Sequence, residues 1–482
     1  MPTLLVQIKR RWLVLILALG LILALSPGPT DAVAVTALRD GALQLAAARR
    51  PADSQPWRML GDLYLAAGQV DAALTAYDQA LRRGDDSAAL DASLARLHAA
   101  QGDDRRAVHY WARLLSRRPF ERAARLALAE SAIALADWSR AQRELEFLLA
   151  ADPNDPVAHA WLGLLLIEPR PTAAIPHLEQ AIRDPVWEAA LKPVLTANRQ
   201  AVASADPAYR STLLGAALLG LDPSSLNAAS PATFSRAATM LALRSLLLAV
   251  HRNPAYADAF AYLGQTLDRI GQTDWAAAAF AYALQLAPQS PIALTLAGSY
   301  WDRHARPDLA RYLFEVAFDL DRENPALCLQ IGATYLAQGE YTAAEVWLLF
   351  ATELAPEDVQ VWKTLAHFYL DTGIGAGESG LFAARRWVEL TPAAADAHDL
   401  LGWAYFLANQ PAQAAASLTQ ALTLDPSLAS AYYHWGRLQA DQGRFDQAIR
   451  AYERAAALDT DRQLAANLER AWSALPEAYQ DR

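Results

Sequence analysis

The chain of 482 residues holds a single cysteine, Cys328, so it can build neither an internal disulfide nor a multi-cysteine zinc or iron–sulfur site. Positive charge is short as well. Against 52 Asp and Glu there are 42 Lys and Arg, giving a net charge of -10 with no basic stripe, which argues against a nucleic-acid backbone as partner. The nine histidines are scattered, and no H-E-x-x-H, G-x-S-x-G or P-loop occurs, so neither metal-assisted hydrolysis nor the usual nucleophile and phosphate motifs have a foundation. No cofactor is expected. What is abundant is apolar surface: 54% of residues are hydrophobic and 20% charged, which excludes disorder and allows a large core.

Only one long apolar run stands out. Lys9, Arg10 and Arg11 precede fourteen residues from Trp12 to Leu25, and Ser26, Pro27, Gly28 and Pro29 then break any helix. This order is that of a secretory signal, and the run fits an h-region of ~7–15 residues better than a span of ~17–25. Ala32-Val33-Ala34 offers small residues for cleavage. A retained membrane anchor and a buried helix are the alternatives. With either signal or anchor, the positive-inside preference leaves the chain from about residue 35 outside the cytoplasm. No other apolar stretch is expected to reach membrane-spanning length.

The rest of the chain keeps a period of 34. Gly61, Ala95, Ala129 and Gly163 follow one another at that spacing, as do Gly264, Gly298, Gly332 and Ala366, and then Gly402 and Gly436. Prolines agree: Pro119 and Pro153, Pro254 and Pro288, and Pro392 and Pro426 are each 34 apart, whereas Pro356 to Pro392 is 36. The two extra residues map to a glycine-rich stretch from Gly373 to Gly380. Its Gly375-x-Gly377-x-x-Gly380 matches the dinucleotide fingerprint, but it follows a helical pattern and no βαβ unit surrounds it, so it reads as a turn. Alanines form a third ladder at Ala73, Ala107 and Ala141, Ala276, Ala310 and Ala344, and Ala414 and Ala448.

Within one period, Trp57, Leu60 and Tyr64 share a helical face, Gly68 permits a turn, and Ala73, Tyr77 and Ala80 line a second helix. Each period is therefore a helical hairpin in which Gly61 and Ala73 let two backbones approach. Trp57, Leu60, Gly61, Tyr64, Ala73, Tyr77 and Ala80 match the W-L-G-Y-A-F-A pattern, and the chain closely resembles the tetratricopeptide-repeat (TPR) family. About ten copies run from residue 54 to 462. The resemblance implies an all-α solenoid of helix-turn-helix repeats forming a right-handed superhelix. The expected organisation is a signal or anchor over 1–34, an N-terminal array over 35–185, an irregular helical middle with one degenerate repeat over 186–256, a C-terminal array over 257–462, and a capping helix and tail over 463–482.

The family also implies a function. Its concave groove is lined by the fifth and ninth residues of each first helix, which here gives Arg58 and Asp62, Ala92 and Arg96, and Leu126 and Glu130 near the start. Toward the end it gives Lys363 and His367, Asp399 and Trp403, and Tyr433 and Arg437. The last three pairs join cations to aromatics, the composition of interface hot spots. Lys363, His367, Trp403, Tyr433 and Arg437 are therefore the candidate binding residues. The Lys and Asn pair of chaperone-binding relatives occurs in no copy. The expectation is a non-catalytic scaffold that binds proteins or peptides at the cell envelope. A glycan-binding or polysaccharide-assembly factor, with Trp403 and Tyr433 stacked on sugars, is the alternative. Cys328 falls where Trp57 stands in the first copy and is expected to be a buried small hydrophobe.

Overall fold

A computed structural model describes residues 43–44, 52–222, 231–459 and 462–476. The apolar run Trp12–Leu25 and the Ala32–Ala34 cleavage site lie outside the described residues. Among the described residues there are 24 α-helices and no strand. They fall into two compact units, Met1–Ala276 and Ala277–Arg482, with the boundary inside helix Thr273–Leu286.

The first unit opens with four hairpins: α1 (Gln55–Ala66) with α2 (Val70–Arg82), α3 (Ala88–Ala100) with α4 (Asp104–Arg117), α5 (Arg122–Ala134) with α6 (Trp138–Ala151), and α7 (Pro156–Leu166) with α8 (Pro171–Ala181). Four further helices follow, of which the first and third are long: α9 (Pro185–Ala203), α10 (Pro207–Leu219), α11 (Pro231–Arg252) and α12 (Ala257–Arg269). After α13 (Thr273–Leu286), the second unit repeats the hairpin: α14 (Pro291–Arg303) with α15 (Pro307–Leu320), α16 (Pro325–Ala337) with α17 (Tyr341–Leu354), α18 (Val359–Thr372) with α19 (Ser379–Leu390), α20 (Ala395–Leu407) with α21 (Pro411–Leu424), and α22 (Ala429–Asp441) with α23 (Phe445–Leu458). Helix α24 (Ala465–Ser473) packs Leu468 and Ala471 against Tyr433, Ile449 and Tyr452 and covers the last hairpin.

The glycine ladder marks where a side chain of the second helix enters the first. A Cβ at Gly61 would stand 2.3 Å from the Tyr77 ring, and at Gly298 2.5 Å from the Phe314 ring. In other copies leucines fill the notch, as Leu418 does at Gly402. The notch-filling residue is the one four positions after the ladder alanine, so the alanine lets the helices approach and its neighbour one turn on locks them.

Seven residues after the ladder position the chain turns through a left-handed residue, which ends the first helix, in every copy but that of Gly163, where Arg170 has φ -146°. Gly68, Gly102, Gly271, Gly339, Gly373 and Gly443 have φ between 72° and 83°; Ala136, Ala305 and Asn409 hold the same place at 59°, 55° and 54°. The extra residues after Gly373 lengthen one such turn, where Gly375 is also left-handed.

Helix α11 corrects one expectation. Its 22 residues are long and apolar enough to cross a membrane by length and composition. More than half of it is buried in the unit, however, with Phe234, Leu241, Ala242 and Leu246 in one core with Trp161 and Leu214. It pairs with α10 through the same lock, since a Cβ at Gly215 would lie 2.6 Å from Leu246. It then runs on across α5 and reaches α3.

Candidate functional site

In the second unit, α20 and α22 bring Trp403 and Arg437 together. Trp403 stacks on His434, with ring centroids 4.6 Å apart and planes 19° apart, and on Phe406 of its own helix at 5.0 Å. The Arg437 guanidinium lies 5.7 Å from the Trp403 ring and donates to the Tyr433 hydroxyl at 3.2 Å. His434 Nδ1 stands 2.8 Å from the Asp399 carboxylate, which is buried. Tyr433, expected on the groove surface, is 7% exposed and packs beside Tyr452 in the core. Its role is to hold Arg437. His434 and Phe406 were not among the candidates, although their positions beside Tyr433 and three residues after Trp403 are the signal that finds them.

Lys363 and His367 form a neighbouring group on α18. Lys363 Nζ is 3.0 Å from Asp396 of α20 and 5.1 Å from the Trp387 ring, and His367 sits 3.4 Å from Asp371 and 6.0 Å from Trp387. The two groups adjoin because Asp396 and Asp399 are one turn apart on α20. Lys363, His367 and Arg437 keep part of their surface in solvent. Each is braced by a partner that limits its freedom before anything binds, which lowers the entropy cost of recognition.

The equivalent face in the first unit is arranged differently. Leu126 is buried in the same core as α11, and the Glu130 carboxylate accepts from Trp161 Nε1 at 3.0 Å while burial pushes its pKa up to about 7. Phe234 of α11 packs on Trp161 with centroids 4.9 Å apart. Arg236 donates to Asp104 at 2.8 and 3.0 Å and to the Ala99 carbonyl at 2.6 Å, closing the end of α3. The chain thus fills its own groove at the third hairpin. A cavity of about 430 Å³ remains beside it, between Leu97, Trp111, Ala127, Glu130 and Thr233. Nearer the start, Arg58 donates to Ser87, and Asp62 accepts from Tyr77 and Ser93.

Among the described residues no group of three or more His, Cys, Asp or Glu is placed to hold a metal ion. Cys328 is buried, donates weakly to the Asn324 carbonyl at 3.7 Å, and has its thiol pKa pushed up to about 11 by that burial. Gly375 and Gly377 lie in the turn before α19, and Gly380 is inside that helix.

Two tetratricopeptide-repeat family models match, one over residues 32–88, 58–115 and 126–190 and one over 303–368, and the model of the anaphase-promoting complex, cyclosome, subunit 3, matches 378–455. No curated protein matches the chain. Among solved structures, a tetratricopeptide-repeat protein from Parabacteroides merdae is 17% identical over 48% of this chain and 92% of its own, with a TM-score of 0.38. Yeast Tom70 is 16% identical over 87% of this chain and 95% of its own, also at 0.38. YrrB, described as a TPR protein with an unusual peptide-binding site, is 22% identical over 39% and 96%, at 0.34.

Proposed function

Because the chain belongs to the tetratricopeptide-repeat family, we propose that it is a non-catalytic scaffold that binds an extended segment of a partner protein along the first-helix face of its second unit. The observation that carries this reading is the contrast between its two arrays. In the first, the face at Leu126 and Glu130 is filled by helix α11 of the same unit. In the second, Lys363, His367 and Arg437 stand part-exposed over aromatic rings, and among the described residues no helix of that unit lies across them. The braced cations of such a face suit backbone carbonyls and carboxylates of a peptide. A glycan reading needs a free aromatic face, and Trp403 has its ring against His434 and Phe406, so the peptide reading is preferred.

The same proposal includes an address. The Trp12–Leu25 run and the basic residues before it suit export or anchorage at the cell envelope, with the repeats outside the cytoplasm. A reporter active only outside the cytoplasm, fused after residue 50, should work and should fail once 12–25 is deleted; activity that survives the deletion removes the address. For the groove, the test is the affinity of the captured partner. Trp403→Ala and Arg437→Ala should each weaken it about thirtyfold, while Arg58→Ala and Arg96→Ala leave it nearly unchanged. Equal loss from all four would remove the second unit from its role.

A further inference from the structure

A second ladder, independent of the groove, runs along the second helices of the same unit. Fourteen residues after the ladder position of three successive hairpins, allowing for the two-residue insertion, stand Tyr312 on α15, Val346 on α17 and Phe382 on α19. They are 61%, 61% and 64% exposed, among the most exposed large apolar residues described in the chain. Seven residues further on, two turns along the same face, the three helices carry Asp319, Glu353 and Glu389, all exposed. The pairing stops there: the next two hairpins have Ala416 with Thr423 and Arg450 with Ala457. The first three hairpins of the chain have Thr75, His109 and Arg143 at the apolar place.

The three helices are neighbours. Phe318 of α15 packs on Trp347 and Phe350 of α17, with centroids 5.0 and 5.9 Å apart. Between α17 and α19 lies a recess of about 630 Å³, walled by Leu349, Trp362, Phe382 and Arg385, with Gly377 and Glu378 of the lengthened turn at its rim. The insertion that breaks the 34-residue period therefore coincides with a hollow beside Phe382, between the helices that carry Val346 and Phe382. Two parallel rows, one apolar and one acidic, are thus displayed across three helices with a socket between them.

We infer that this face binds a basic amphipathic helix of a partner protein. Its apolar side would lie along Tyr312, Val346 and Phe382, one bulky side chain would enter the recess at Leu349, and its Lys or Arg residues would face Asp319, Glu353 and Glu389. Charge complementarity decides the occupant. The helices α15, α17 and α19 together hold six acidic and three basic residues, so a second copy of the chain would bring like charge against like, and so would an anionic lipid surface. Asp319 and Glu389 each hold an arginine of their own segment, Arg322 at 2.8 Å and Arg386 at 2.9 Å, in solvent-exposed i,i+3 pairs that a partner's cations would exchange with, while Glu353 makes no ion pair among the described residues and is available outright.

The test uses the full chain and fluorescently labelled helical peptides of about 20 residues, or about 30 Å, all with one unbroken leucine face and with flanking charge graded from acidic to basic. Affinity measured by anisotropy should rise with positive charge and fall with added salt. Val346→Asp and Phe382→Asp should each weaken the basic peptide about tenfold or more, and Glu353→Lys should shift preference toward the acidic peptide. Trp403→Ala should change none of this, which separates the result from the groove. Val346 makes no ring contact, so its variant decides the matter if Phe382→Asp loosens the fold through Trp362. Equal binding of acidic and basic peptides, no binding of either, or insensitivity to Val346→Asp overturns the inference. A concentration-dependent dimer abolished by Val346→Asp overturns it as well and assigns the face to a second copy.

Discussion

His434 lies flat on Trp403, 4.6 Å between ring centroids, while its Nδ1 meets the buried Asp399 carboxylate of the same helix as Trp403 at 2.8 Å. One histidine thereby ties two consecutive hairpins through a ring on one side and a carboxylate on the other. Arg437, one turn further on, is left over the same indole with its guanidinium part-exposed. The candidate contact surface is rigid because its members are each other's partners.

The glycine notch makes a clear stability claim. Gly298→Leu forces a side chain into the place of the Phe314 ring and should destabilise the protein by ~1–3 kcal/mol. Gly377→Leu, where the nearest atom to a new Cβ is 3.8 Å away and φ is not positive, should be close to neutral. Urea titration of both variants checks the contrast.

The turn after α14 is held by an alanine in a conformation that suits glycine, Ala305 at φ 55°. Ala305→Gly should therefore raise stability by about 0.5–1 kcal/mol, the relief of the left-handed strain less the entropy glycine adds to the unfolded chain. The midpoint of chemical unfolding should move up accordingly.

Arg236 holds α11 on the first hairpins through buried Asp104 and the end of α3. Arg236→Ala leaves that carboxylate buried without its cation and should cost about 3 kcal/mol. Hydrogen exchange should show the N-terminal half of α11 and the last turn of α3 losing protection together.

Glu130 sets a pH dependence. Burial raises its folded pKa to about 7, above the unfolded value, so the native state holds the proton more tightly and the contribution is full below about pH 4.5. It is lost as pH rises to about 7. Glu130→Gln keeps an acceptor for Trp161 and removes the titration. The variant should gain on the parent by roughly 1–3 kcal/mol between those pH values and level off above them.

The hairpins were legible in the sequence because a solenoid contacts mainly its neighbours, so a linear period maps directly onto packing. Gly61 with Tyr77, or Gly298 with Phe314, are only sixteen residues apart. Helix α11 was not legible in the same way. Its anchors on α3 and α4 lie more than 130 residues earlier in the chain, where no period points to them. Its apolar composition alone fits a core helix and a membrane span equally well. The groove residues were partly legible: spacing put Trp403 and Arg437 on one face, but whether Tyr433 faced solvent depended on Tyr452 and on α24 behind it.

The central claim, that the first-helix face of the second unit takes a protein partner, is tested most directly by photo-crosslinking in the native host from single positions of the full chain. A photoreactive residue in place of His367, whose side chain is 44% exposed, should join covalently to peptides of another protein, identified by mass spectrometry, while the same residue in place of Arg96 should not. Crosslinks from position 96 and none from 367, or adducts at 367 that contain saccharide and no peptide, would contradict it.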